Sequence, residues 1–182
     1  AIKMFTIALD RNTNFSSEAV AWVEQLVPRA NGTAISANDL MTEEDRTGGV
    51  LSKDVEHTIS GDGAFKASAL TEKDVIARGL SYPVSVEPST RYELSGWIKT
   101  ENIYGSGYGV VTVHEDNGAW NNARGTDITN MDETRGWQPF HKTFTTLPTT
   151  RRLFVAAGLW KTFGTVWVDD VRLVQDTGSN PV

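Results

Sequence analysis

Residues 152–174 read RLFVAAGLWKTFGTVWVDDVRLV. Leu153, Val155, Ala157 and Leu159 alternate with Phe154, Ala156, Gly158 and Trp160, and a period of two marks a strand with one buried face. The KTFG segment at 161–164 predicts a tight turn, and residues 165–174, rich in Val and Trp, predict a return strand. Two adjacent carboxylates, Asp169 and Asp170, interrupt that strand. Successive side chains face opposite ways, so one of the pair must point to the interior or to a sheet edge. There it needs a hydrogen-bond donor, a paired charge or a cation.

Upstream the same period recurs. Tyr92, Leu94, Gly96 and Ile98 alternate with Glu93, Ser95, Trp97 and Lys99, and residues 105–115 and 136–146 continue the pattern. Asp116-Asn117-Gly118 is a hairpin signal. Residues 32–37, 64–70 and 75–86 read as further strands, with turns at 61–63 and at 87–90 around Pro88. Residues 1–9 read as a first strand or a lead-in. Val20, Val23, Leu26 and Val27 have the spacing of a short helix. Residues 38–56, acidic and with only scattered apolar positions, read as a long loop or insertion. Short strands at intervals of about 8–12 residues with turn chemistry between them define an all-β sandwich.

A chain of 182 residues is one domain by length, here 1–175, with the small polar residues 176–182 linker-like. The absence of cysteine excludes a disulfide scaffold and thiol catalysis. A net charge of −6 argues against nucleic acid or an anionic membrane as partner. No apolar run approaches the roughly 18–20 residues that span a bilayer. No signal peptide is visible, and a chain beginning at Ala1 is compatible with a processed or excised piece. His57, His114 and His141 lack metal-ligand spacing, and Gly105-Ser106-Gly107-Tyr108-Gly109 lacks the following helix of a phosphate cradle. Glu115 with Asp116, or the acids at 43–45, would serve glycoside hydrolysis only at defined separations, and adjacent acids in turns are usually solvated. Tyr104, Tyr108, His114 and Arg124 are the set a polysaccharide lyase would draw on.

The closing segment GTVWVDDVRLV resembles the last strand of carbohydrate-binding modules of the family 4/9 and family 16/22 kind. HTISGDGAFKAS at 57–68, YPVSVEPSTRYELSGWIKTENI at 82–103, VTVHEDNGAW and RGWQPFHKTFTTLP follow in the same order, with a weaker match at Asn12-Thr13-Asn14-Phe15 and Trp22. The resemblance implies a jelly-roll topology, a strand or loop carrying Trp22 and a glycan-binding concave sheet face. It further implies a non-catalytic role beside a covalently linked polysaccharide-degrading enzyme, in a secreted and monomeric setting. It also implies a structural calcium ion near the Asp-Asp strand, on Asp169 and Asp170 with Asp62 and Ser17 or Glu18. Ser16 stands where the family carries a Glu ligand.

The apolar faces turn Trp97 and Trp160 outward, and an indole buries the C–H face of a sugar while polar neighbours bind its hydroxyls. The resemblance implies that both tryptophans belong to the sheet whose concave face binds glycan, with Ala156 and Gly158 as a groove floor and His114, Gln138 and His141 as polar partners. Trp22 and Trp120, on loops, would flank the cleft. Against this, a tryptophan in a β-sandwich is more often core or sheet cover. Asp169 and Asp170 would equally serve as acceptors for backbone N–H groups at a sheet end. The acidic balance points to a neutral glycan, a β-glucan, xylan or mannan. The alternatives are an interaction or cell-surface domain without a sugar site, or a glycan-active enzyme.

Overall fold

The computed structural model describes residues 32–61, 63–70, 76–118 and 122–177. The expectations for residues 1–9, the Asn12–Phe15 motif, residues 19–27 and the tail from 178 lie outside them. Ten strands appear among the described residues: β1 (Thr33–Ile35), β2 (Glu43–Arg46), β3 (Val50–Asp54), β4 (Ala64–Ala69), β5 (Ile76–Leu80), β6 (Val84–Ser85), β7 (Arg91–Asp116), β8 (Asn122–Met131), β9 (Arg135–Thr145) and β10 (Arg152–Gln175). One 3-10 turn, Asp39–Met41, precedes β2.

The spine is the antiparallel pair β7 and β10, in register from Arg152 opposite Asp116 to Gln175 opposite Tyr92. The free edge of β10 takes β6, β5, β4 and β1 in succession, and that of β7 takes β9 along its first part and β8 along its second. Register shifts between Trp160 and Thr162 and between Phe163 and Thr165 mark where the sheet folds over itself. Gly164 sits there at φ +125, and a Cβ on it would collide with the Asn102 carbonyl, so only glycine fits the crossing. Leu94, Ile98, Val166 and Val168 from one half then pack in a single core with Val111, Val113, Leu153, Val155 and Leu159 from the other. The result is an all-β sandwich of jelly-roll type whose two layers share their central strands.

Three expectations are corrected. Residues 161–164 are not a hairpin turn: β10 runs through them, and both of its parts pair with β7 instead of with each other. The same holds at 101–107, where one strand crosses the fold. Residues 38–56 are not a loop, since they supply the edge strands β2 and β3. None of the five positions of β3 is buried, which removes the apolar alternation that announces a strand.

Glu115 and Asp116 are buried, not solvated. Glu115 accepts from Arg124 Nε at 2.6 Å, Leu147 N at 2.8 Å and Thr150 Oγ1. Asp116 accepts from Arg152 Nε at 2.9 Å and from Gly118 N at 3.2 Å. Buried charges persist because each is paired and hydrogen-bonded. These carboxylates pin the loops at 117–118 and 146–151 to the end of the spine.

Candidate functional site

In the half of the sandwich built on residues 152–160, Leu153, Val155, Ala157 and Leu159 enter the core. Phe154, Ala156, Gly158 and Trp160 therefore take the other face of the strand, where Phe154 and Trp160 are half-buried and Ala156 and Gly158 buried. Directly opposite on β7 stand His114, Thr112, Val110 and Tyr108. On the other flank, β5 sets Leu80, Arg78 and Ile76 opposite Ala156, Gly158 and Trp160. From β8, Gly125, Asp127 and Asn130 join opposite His114, Thr112 and Val110. Along β10 the centre of this face carries only Gly158 and Ala156, flanked by Val110, Thr112, Arg78 and Leu80 on the neighbouring strands. Trp160 with Tyr108 closes one end and Phe154 with His114 the other, six residues or about 20 Å apart along the strand. The row between these two aromatic pairs, the trough of this sheet, is packed, with Ala156, Gly158, Val110 and Thr112 all buried.

The walls are held in place. The Arg78 guanidinium lies 4.5 Å from the Trp160 ring centroid and Lys161 Nζ 5.7 Å from it, both within cation–π reach. The Tyr108 hydroxyl donates to Asp127 Oδ2 at 3.4 Å. Burial, and then the negative charge of Asp127, push the Tyr108 pKa up, so the phenol stays a protonated donor. Thr112 Oγ1 and His114 Nε2 are 3.3 Å apart. Such a surface offers aromatic faces to apolar C–H patches and hydroxyl, imidazole and carboxylate groups to a ring of alcohols.

Of the residues singled out by sequence, Trp160 and His114 come together here. Trp97 and His141 do not, which corrects the expectation of one shared face. Trp97 stands opposite Asp169 and Pro139, and His141 opposite Ser95, on the outer surface of the other half. The reason is the fold-over: β7 passes from one layer to the other between Trp97 and Tyr108. His141 Nε2 lies 3.0 Å from Glu93. Gln138 pairs with Ile98 on the opposite face of edge strand β9 from Trp97. Trp22 and Trp120 lie outside the described residues. Sequence reasoning missed Phe154 and Arg78 and weighed Tyr108 only as a catalytic group. Phe154 was visible in the alternation that exposed Trp160, whereas Arg78 becomes visible only once β5 is placed beside β10.

The metal expectation centres on Asp169. Its Oδ2 accepts from Thr58 Oγ1 at 2.8 Å, Ile59 N at 2.7 Å and Ser60 N at 3.0 Å, and its Oδ1 from Asp170 N at 2.7 Å. Asp170 turns outward at φ +50 and takes Arg172 Nε and Nη2 at 3.2 and 3.0 Å. Three donor hydrogens aimed at Oδ2 place positive partial charge where a calcium ion would need a bare oxygen. Among the described residues no group of three or more His, Cys, Asp or Glu side chains is arranged to hold a metal. The described donors thus do not fit a cation by themselves. Asp62, Ser17 and Glu18 lie outside the described residues.

No protein-family model and no curated protein matches the chain. Solved structures do. The CBM22-1–GH10 modules of Clostridium thermocellum endo-1,4-beta-D-xylanase 10B, in complex with xylohexaose, superpose with a TM-score of 0.57 and 12% identity over 86% of this chain. The chain spans only 30% of that longer one. A family 16 carbohydrate binding module gives a TM-score of 0.54 and 22% identity, over 78% of this chain and 96% of that one. The CBM22-1 xylan-binding domain from Paenibacillus barcinonensis Xyn10C gives 0.55 and 12%, over 82% and 97%. This chain has the fold of carbohydrate-binding modules of families 16 and 22.

Proposed function

We propose that the protein is a non-catalytic carbohydrate-binding module that takes a glycan chain in the trough between Trp160–Tyr108 and Phe154–His114. The observation that carries this is the aromatic pairing: Trp160 opposite Tyr108 and Phe154 opposite His114 stand on one face of the sheet, separated along β10 by the small residues Ala156 and Gly158. The xylan-binding and xylohexaose-bound neighbours support the ligand class. The backbone of the ligand is neutral, a β-glucan, xylan or mannan, in keeping with the net charge of −6. Glu115 and Asp116, spent on Arg124, Arg152 and backbone amides, are not available for hydrolysis. Tethered to a polysaccharide-degrading enzyme outside the cell, such a module raises the local concentration of its catalytic neighbour on the substrate.

Affinity electrophoresis against soluble neutral polysaccharides tests this. Retardation by at least one is expected. Trp160→Ala and Phe154→Ala should each weaken it roughly tenfold, the loss of one aromatic platform. Trp97→Ala, in the other half, should leave it intact. Retention that survives Trp160→Ala and Phe154→Ala but fails in Trp97→Ala would move the site to the outer face. No retention by any glycan would return the trough to structure.

A further inference from the structure

We infer that the Trp160 end of the trough selects glycans carrying a carboxylate, a uronic-acid substituent on an otherwise neutral backbone, and that Lys161 is the selecting residue; this rests on the glycan-binding role proposed above. Residue 161 follows Trp160 and would ordinarily project from the opposite face of the sheet. The register shift between Trp160 and Thr162, with Lys161 at φ +51, instead brings its ammonium to 5.7 Å from the Trp160 ring. A left-handed conformation is unfavourable for a side chain other than glycine, asparagine or aspartate, and strain of this kind is kept where function uses it.

The ammonium is also uncommitted. Arg124, Arg135, Arg152 and Arg172 each hold a carboxylate. Exposed Lys161 has none within salt-bridge distance among the described residues, and its only charge-related contact there is the indole. Arg78 approaches the same ring at 4.5 Å but is half-buried, with its Nε shut off from solvent, whereas Lys161 is exposed. Lys161 is thus the cation on which selection rests.

The acidity of the whole chain does not oppose this. A net charge of −6 spread over the molecule is screened beyond about 8 Å at physiological ionic strength. A carboxylate on a sugar stacked at Trp160 meets Lys161 well inside that distance. Asp127 is set opposite Thr112, but its carboxylate reaches the Tyr108 hydroxyl at 3.4 Å and so flanks this end from the β8 side, whereas Lys161 lies on β10. A polyanion with a charge on every sugar would run over Asp127, whereas a sparsely decorated chain need not.

The test uses two matched pairs: glucuronoxylan before and after carbodiimide reduction of its carboxyls, and β-glucan before and after partial oxidation at C6. Dissociation constants come from affinity electrophoresis at about 20 mM and about 500 mM salt, where screening lengths differ severalfold. The carboxylated member of the pair that binds should bind several-fold tighter at low salt, and this ratio should fall toward one at high salt. It should also fall to one in Lys161→Ala and in Lys161→Gly, the latter keeping the left-handed backbone without strain. Equal affinity of wild type for both members overturns the inference and leaves the module role standing, as does a ratio that survives both substitutions. If no polysaccharide is retained, the module role itself falls, and the selectivity with it.

Discussion

Asp169 ties the segment at 58–60 to β10 through three donors on one oxygen. Removing its charge leaves two backbone amides with a weaker acceptor, and hydrogen bonds to a charged group are worth about 1.5–3 kcal/mol. Asp169→Asn should therefore lower unfolding stability by about 2 kcal/mol, read as a fall in urea midpoint at unchanged slope. EDTA should leave the wild-type midpoint where it was; a drop on chelation would place an ion on donors outside the described residues. Asp54 offers a second test. Burial raises its pKa, but donation from Trp167 Nε1, the His57 and Glu56 amides and the His57 ring outweighs that, and the carboxyl sits well below the usual carboxylate range. A group depressed in the folded state contributes stability that is complete above its unfolded value of about 3.9 and vanishes as pH falls through the folded one. Asp54→Asn should accordingly be less stable than wild type at pH 7, with the two stability curves converging in acid. Curves that stay parallel down to the acid limit would remove Asp54 from the balance.

At the scale of elements, the crossing of the spine is the most demanding local structure. A Cβ on Gly107 would collide with the Trp160 carbonyl and lie 2.5 Å from that of Lys161. Both obstacles are backbone, so neither can swing aside. Gly107→Ala should lower stability by more than about 3 kcal/mol, whereas Gly136→Ala, with open space around it, should change it by less than about 0.5 kcal/mol. Equal effects in a thermal melt would mean that the crossing gives way more easily than its geometry implies. This crossing was also the part least legible in the sequence. The alternation of Leu153 with Phe154 exposed the strand and its faces, because burial on one side is a local pattern. The glycines at 105–109 and 164 announced a break, but a break between strands and a fold within one strand use the same residues. Only the pairing partner, set by long-range contacts, tells them apart. Edge strands β2 and β8 escaped for another reason. Across residues 124–131, Arg-Gly-Thr-Asp-Ile-Thr-Asn-Met, only Ile128 is buried, so no periodicity survives. Trp160 and His114 were legible as outward residues, while Trp97 was assigned to their face because a period of two cannot say which layer a strand belongs to.

For the whole molecule, the shared spine decides how the protein comes apart. In a sandwich of two self-contained sheets, one sheet could loosen while the other held. Here β7 and β10 run through both layers, and their residues from both halves meet in one core. Freeing the layer with Trp160 would strip Val111, Val155 and Leu159 from the cluster they share with Leu94 and Val168, so neither half keeps an interior alone. Unfolding should be a single all-or-none transition. Trp160 and Trp167 lie in opposite layers and make this testable. Replacing the other tryptophans by phenylalanine, once in a protein that keeps only Trp160 and once in one that keeps only Trp167, gives each layer its own fluorescence signal. In each variant the fluorescence midpoint in urea should coincide with that of the far-ultraviolet circular dichroism. A Trp160 signal that moves first would make the trough layer a separately melting unit. Its ligand would then raise the midpoint of that layer alone, whereas for the shared spine a saturating glycan should shift both layers together.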